Sequence, residues 1–392
     1  PLRPGAGSIL AMSNYAQLTF GNACKAFDYR VSRRHFLTLR CKSVADRFKA
    51  RAWRAARQCA IDRFFQQPAA FAPLFSPTAT MPTDRADHLP ELPCYLNGEI
   101  VPMREARISP FDRGFIFGDG VYEGISFYGR PGQTPQPYRF DQHMARLERS
   151  LGETRIANPH TREEWRQIAL DLIAAYADAA GAVAQKDSKD WPQDWFYYFQ
   201  VTRGVALRDH PMLEGLTPTV FATCLPMKTA TAEQRAQGVA CVTADDFRWQ
   251  KAHIKSISLL GAVFARQISF EQGALETVMF RDGLLSEAAA SNVWVVKNGT
   301  VMGPPKNNLV LEGIRYGAVE ELCRQQGIAF ELRPITRAEV LAADELMLSS
   351  ATKEVLPITT LDGQPVGTGQ PGPVYQKLYA AYQRDKDALF NA

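Results

Sequence analysis

The stretch "HIKSISLL", residues 253–260, sets a single lysine among isoleucine, serine and leucine. In an extended segment His253 and Lys255 share one face. Two readings compete for an ammonium in such company. Its four-carbon stem can lie along apolar surface while the charge snorkels to water. Alternatively, the amine is held partly out of water, so that it is neutral and can attack a carbonyl. The choice decides the fold, because an imine-forming lysine needs a cofactor-shaped site built around it by other segments.

The chain has 392 residues, enough for two domains with a substantial core. Its hydrophobic share of 46% and charged share of 22% fit a soluble globular protein, and no apolar run approaches a membrane span. The seven cysteines are scattered and form no CxxC pair, which argues against a disulfide framework or zinc ribbon and suits the cytoplasm. The net charge of +4 is unevenly placed: residues 1–80 carry thirteen Lys and Arg against three Asp, leaving the remainder at −6. Neither nucleic acid nor an anionic membrane is therefore the expected partner of the body.

The front piece, 1–80, reads as a basic extension with no fold of its own. A targeting segment and a basic arm are the competing readings. The expected domain start is Met81. Beyond it, Asn97-Gly98, Asp282-Gly283, Asn298-Gly299 and Asp362-Gly363 each sit between apolar runs, as hairpin turns do. "WFYYFQVTRG" reads as an aromatic strand. "TREEWRQIALDLIAAYADAAG" reads as a helix opening on a Thr161…Glu164 capping box, with Trp165, Ile168, Leu172 and Tyr176 on one face. "DQHMARLERSL" carries a Met144, Leu147, Leu151 stripe, and "RYGAVEELCRQQG" and "PVYQKLYAAYQRDK" are further helices. The polar segment 226–238 shows no periodicity and marks the boundary between a smaller domain, 81–228, and a larger one, 229–392. The class is α/β or α+β.

There is no GxSxG elbow and no HExxH, and the six histidines are too dispersed for a metal site. "GDGVYEG" lacks the strand–GxGxxG–helix setting of a dinucleotide fold and reads as a turn. Four other features converge on a phosphorylated, electron-withdrawing cofactor. Lys255 can form an imine. Glu287, beside an apolar strand, can keep a ring nitrogen protonated. Arg146 can grip a phosphate bidentately. Gly313-Ile314 opens a helix whose first amides can receive the same phosphate.

The blocks "SPFDRGFIFGDGVYEGI", "RFDQHMARLERSL", "HIKSISLLGAVFARQ", "LLSEAAASNVWVV", "LVLEGIRYGAVEELC" and "LMLSSATKEVLPITTLDG" occur in one order. They resemble the class IV (fold type IV) pyridoxal-phosphate aminotransferases over about residues 93–385. The resemblance implies a two-domain fold of the D-amino-acid aminotransferase type with pyridoxal 5′-phosphate as cofactor. It makes Lys255 the Schiff-base lysine, Arg146 the phosphate arginine and Glu287 the partner of the pyridine nitrogen. Leu311 matches a residue packed behind the ring, and Gly313, Ile314 and Arg315 fall on the phosphate turn. "FQVTRGVALRDHPM" is similar to the D-amino-acid branch. There Arg208 and His210, reaching over from a neighbouring subunit, join Tyr122 in trapping the substrate carboxylate, which implies a homodimer.

The sequence departs from the family pattern in three places. Arg315 stands where threonine is frequent. Two hydroxyls are lost at Ala288-Ala289-Ala290, and Ser349-Ser350-Ala351-Thr352 stands in place of "TSTT", with Ser350 and Ala351 at the phosphate. The expected reaction is D-alanine plus 2-oxoglutarate giving pyruvate and D-glutamate. A branched-chain L-amino-acid transaminase, an aminodeoxychorismate lyase and a non-catalytic relative are the alternatives.

Overall fold

The turn dipeptides act as the sequence predicts. Asn97, Asp282, Asn298 and Asp362 all have φ near +50°, each followed by a glycine of positive φ, so each pair closes a tight hairpin. The computed structural model describes residues 92–179 and 193–391. The basic front piece and Met81 lie outside the described residues.

Six strands form an antiparallel sheet in the order β2-β1-β6-β5-β3-β4. They are β1 (Pro93–Leu96), β2 (Glu99–Pro102), β3 (Gly120–Tyr128), β4 (Gln136–Pro137), β5 (Trp195–Thr202) and β6 (Thr219–Pro226). Helices α2 (Phe140–Thr154) and α3 (Arg162–Ala179) cover one face, and a short α1 (Arg113–Phe117) precedes β3. The covered face takes the odd-numbered residues Val121, Ile125 and Phe127 of β3 against Met144, Leu147, Leu151, Trp165 and Leu172. Strand alternation then turns Tyr122 and Gly124 of β3 to the other face. "GDGVYEG" is thus mostly strand and not the expected turn; only Gly118 and Asp119 precede the pairing. Eight consecutive partners on β5, Trp195 to Thr202, hold it extended. The Thr161/Glu164 capping box is formed, with Thr161 N–H on Glu164 Oε2 at 2.7 Å.

A second, nine-stranded sheet runs β12-β11-β10-β13-β14-β7-β8-β9, with β15 (Gln364–Pro365) added on β14. Its members are β7 (Val239–Asp245), β8 (Glu276–Arg281), β9 (Leu284–Ala288), β10 (Asn292–Lys297), β11 (Thr300–Gly303), β12 (Phe330–Leu332), β13 (Glu345–Ser350) and β14 (Glu354–Leu361). This sheet is buried on both faces, which explains its near-continuous apolar strands. Trp294, Val296 and Met347 pack against α6 (Ile314–Gln325) and α8 (Pro373–Ala388), whereas Val293, Val295, Leu346 and Leu348 enter a separate cluster with Val278 and Ile335. Helix α5 (Leu260–Glu271) links β7 to β8, and α7 (Arg337–Leu341) precedes β13. The segment 226–238 holds one structured piece that its polarity concealed. That piece is α4 (Ala232–Gln237), started by a Thr231/Gln234 capping box. No helix among the described residues is long and apolar enough to cross a membrane.

Candidate functional site

Lys255 is fixed through its backbone. Its N–H donates to Ser150 Oγ at 3.3 Å, and its carbonyl accepts the Tyr122 N–H at 2.9 Å. Ser256 bridges to Val121, so the lysine segment is a short edge on β3. The side chain is half-buried and places Nζ 4.1 Å from the centroid of the Tyr122 ring. An ammonium over a phenol face gains cation–π attraction, while a neutral amine there is shielded from bulk water. Both groups line a cavity of about 660 Å³. The same cavity gathers Arg146, Glu287, Leu311, Gly313, Ile314, Arg315, Ser350 and Ala351. Ten of the twelve residues expected at the site thus meet in one place. His253, the lysine's expected companion, faces a different cavity and Glu153 instead.

Glu287, on β9, is buried and accepts three donors. Arg248 Nη1 reaches Oε1 at 2.7 Å, and Asn292 Nδ2 and the Leu311 N–H reach Oε2 at 3.2 and 3.3 Å. Burial pushes its carboxyl above the usual range despite the pull of Arg248. Arg248 also forks onto Asp246, which Arg281 contacts at 3.1 Å. The sequence reading passed over Arg248. Its signal was "DDFRWQ", two acids and an arginine directly after an apolar strand. Gly313 belongs to the same cluster: a Cβ there would stand 2.0 Å from Asn292 Oδ1, so only glycine lets the turn approach.

A second buried group comes from α2, whose His143, Arg146 and Ser150 lie at helical spacing beside the apolar stripe. Arg146 Nε and Nη2 both bind the Glu123 carboxylate at 2.8 Å, and Nη1 donates to the Glu312 carbonyl at 3.1 Å. The fork expected to grip phosphate is therefore turned to Glu123. His143 Nδ1 joins the same carboxylate at 2.8 Å. Burial opposes ionisation of Glu123, yet Arg146 and His143 hold its carboxyl far below the usual range.

Arg315 is fully buried. Its Nη2 donates to Ser126 Oγ at 3.0 Å and to the Ala351 carbonyl at 3.3 Å, with its guanidinium 5.0 Å from the Tyr138 ring. Among the described residues no carboxylate pairs with it. The β13–β14 turn is tied by Lys353 N–H to Ser350 Oγ at 3.1 Å. Lys353 is a second lysine on the cavity wall that sequence reasoning missed; its Nζ is held by Glu276 at 3.0 Å.

Arg208 and His210 are the two expected residues that do not line this cavity. Their loop is anchored by the buried Arg113, which donates to the carbonyls of Asp209 and His210 and pairs with Asp119. Both side chains are exposed and lie against the Phe117 ring.

The cavity suits a phosphorylated pyridine. His143 Nε2 and Arg315 Nε are buried there with no partner among the described residues, and α6 opens at Gly313 with no side-chain cap on its first-turn amides. The Arg315 N–H and the α6 amides are donors that match an anion, on a wall with an uncompensated guanidinium. Glu287 and Lys255 supply the partners that a ring nitrogen and an aldehyde require.

The family model for class IV amino-transferases matches residues 120–361. The D-alanine aminotransferase of Bacillus licheniformis is 37% identical over 287 residues, 73% of this chain and 94% of that protein. The D-alanine aminotransferase of Staphylococcus epidermidis is 30% identical over 290 residues, 74% and 96% of the two chains. Among solved structures, a branched-chain aminotransferase from Thermoproteus uzoniensis, with norvaline, superposes with a TM-score of 0.65 at 25% identity. The match covers 75% of this chain and 94% of that one.

Proposed function

The chain belongs to the class IV aminotransferases, and on that premise we propose that it exchanges amino groups between D-amino acids and 2-oxo acids. The pair that fits best is D-alanine with 2-oxoglutarate, giving pyruvate and D-glutamate; D-alanine is the donor in the names of the relatives at 37% and 30% identity. Pyridoxal 5′-phosphate is the cofactor of such enzymes, and when bound it supplies an electron sink for the charge that develops at the substrate Cα.

The observation that carries the reading is the placement of Lys255 Nζ over Tyr122 in a cavity that also receives the buried Glu287. Lys255 would hold the aldehyde. Its Nζ, when free and neutral, would take the Cα proton. Glu287 already accepts three donors and keeps one lone pair on Oε1 for a ring N–H. The first turn of α6, Arg315 and the Arg146–Glu123 pair would surround the phosphate.

Arg208 and His210 lie outside their own chain's cavity, so the carboxylate trap requires a second copy to present them to Tyr122. Apolar surface suited to that association is exposed on the same loop, with Leu207 80% exposed, and on α5, with Leu260 68% exposed. The proposed assembly is a cytoplasmic homodimer, each body dividing near residue 228 into the domains carrying the two sheets.

Two measurements test the reading. Borohydride reduction of the holoprotein should fix a phosphopyridoxyl label on the peptide containing Lys255. Amino-group transfer to 2-oxoglutarate should proceed from D-alanine and not from L-isoleucine. Turnover of the L-donor alone overturns the D assignment, and a label on any other peptide overturns the enzyme reading.

A further inference from the structure

His143 is 1% exposed and lines the cavity, yet among the described residues only one of its ring nitrogens has a partner. Nδ1 lies 2.8 Å from Glu123 Oε2. Glu123 is ionised, since Arg146 forks onto both of its oxygens, and a carboxylate only accepts. Nδ1 therefore carries the hydrogen. In the neutral ring Nε2 is then a bare lone pair, buried and facing no donor.

A bare acceptor is the wrong group to meet an anion, and this wall is otherwise built for one. Three charged groups face the ring: Glu123 from β3, Arg146 from α2 itself and Arg315 from α6. Burial and the two guanidinium groups oppose a second proton, and Glu123 favours it. An incoming dianion changes that balance, because it adds two negative charges where the arginines had set the sign.

We propose that His143 is a proton-coupled seat for the cofactor's phosphate: its ring is neutral before the phosphate docks and gains a proton at Nε2 as a phosphate oxygen comes against it. With a dianionic ester the proton comes from solvent, bonds to Nε2, and Nε2–H donates to the phosphate oxygen. With a monoanionic ester the P–O–H proton passes to Nε2 and nothing is taken up. The second pKa of a phosphate monoester is about 6. Net uptake is thus close to one proton per chain at about pH 8 and falls away at about pH 5. Affinity for the ester then weakens by up to about tenfold per pH unit on the alkaline side.

The inference rests on the aminotransferase reading of this cavity, and its test separates the two. Binding of 4-deoxypyridoxine 5′-phosphate, which has no aldehyde and cannot react with Lys255, is measured by calorimetry in buffers of differing ionisation enthalpy. Wild-type protein and the His143→Gln variant, which keeps a donor but cannot titrate, are compared at about pH 8. The expected result is a buffer-dependent enthalpy corresponding to about one more proton in wild type than in the variant. Should H143Q not fold, a 15N-histidine spectrum of wild type gives the same answer. One of the six imidazoles must pass from neutral to imidazolium when the ester is added. Equal uptake in both proteins, or a ring that stays neutral, overturns the proposal while leaving the enzyme reading intact. Failure of the ester to bind, with no reducible label on Lys255, overturns both.

Discussion

Arg248 Nη1 donates to Glu287 Oε1 at 2.7 Å, with both side chains largely out of water. The pair governs whether Glu287 is an acceptor or an acid at working pH, since burial pushes the carboxyl up and Arg248 is the cation that resists. In Arg248→Met the carboxylate loses that cation. Leaving an uncompensated buried charge costs about 3–5 kcal/mol, so the carboxyl instead takes up a proton. A protonated Glu287 cannot hold a proton on a ring nitrogen, and kcat for D-alanine should fall by about 100-fold at neutral pH. A raised carboxyl pKa is overcome as pH rises, so the deficit should narrow toward alkaline pH. A deficit constant with pH would show that Arg248 acts only on structure. Asp246 also pairs with Arg281 at 3.1 Å, a contact that the substitution does not remove, so the loop should be preserved.

Gly313 and Asn292 are coupled by contact. A Cβ at 313 would fall 2.0 Å from Asn292 Oδ1, displacing an amide that ties Glu287 to the Leu311 carbonyl. Gly313→Ala should destabilise the protein by about 1–3 kcal/mol, the usual cost of overpacking. Asn292→Ala should be costly too, through its lost hydrogen bonds. The double variant should cost clearly less than the sum, because without the amide the new methyl group fits. Urea midpoints of the four proteins decide it; strict additivity would mean the two sites do not meet.

Much of this architecture was legible in the chain, and the illegible parts share a physical cause. Turn dipeptides and apolar stripes act locally, so the four hairpins and the helices α2, α3, α6 and α8 could be read directly. Lys255, Glu287 and the Gly313 turn were legible because their residue types are conspicuous where they stand. Arg248, Glu123, His143 and Lys353 were not, since each acquires its role from a partner distant in sequence. His143 and Arg146 carry the helical spacing of a buried face, but polar residues at that spacing normally mark a solvated one. Only the Glu123 carboxylate on the neighbouring strand makes that face an interior. The same limit applies to "GDGVYEG", where glycines suggested a turn and the long pairing with β5 imposed a strand.

The exposed position of Arg208 and His210 leads to a complementation test. Arg208→Gln alone should raise KM for both substrates and leave the bound cofactor's spectrum unchanged, because its proposed contact is with the substrate carboxylate and not with the cofactor. Lys255→Ala alone should be inactive. If the trap crosses between subunits, mixing the two under exchange should restore activity. Each heterodimer then has one site with Lys255 from one chain and Arg208 from the other. Random pairing of equal amounts gives roughly a quarter of the wild-type number of sites. No recovery in a mixture shown to contain heterodimer would place the carboxylate trap within one chain.

The buried His143 also predicts how the protein responds to acid. Burial lowers its pKa from 6.5 to about 4 in the cofactor-free fold. Below 6.5 the unfolded chain binds a proton at this ring that the folded chain refuses, so stability is lost progressively as pH falls toward about 4. The Glu123 carboxyl is depressed and acts lower down: its contribution is complete above 4.5, the unfolded value, and fades as pH drops beneath it. Urea midpoints between about pH 4 and 7 should therefore fall more steeply for wild type than for His143→Gln, with the difference confined to the histidine window. Adding 4-deoxypyridoxine 5′-phosphate should remove the difference, because Nε2 is then protonated in the folded state as well. Parallel curves for the two proteins, with or without the ester, would mean that His143 titrates alike in the folded and unfolded chain.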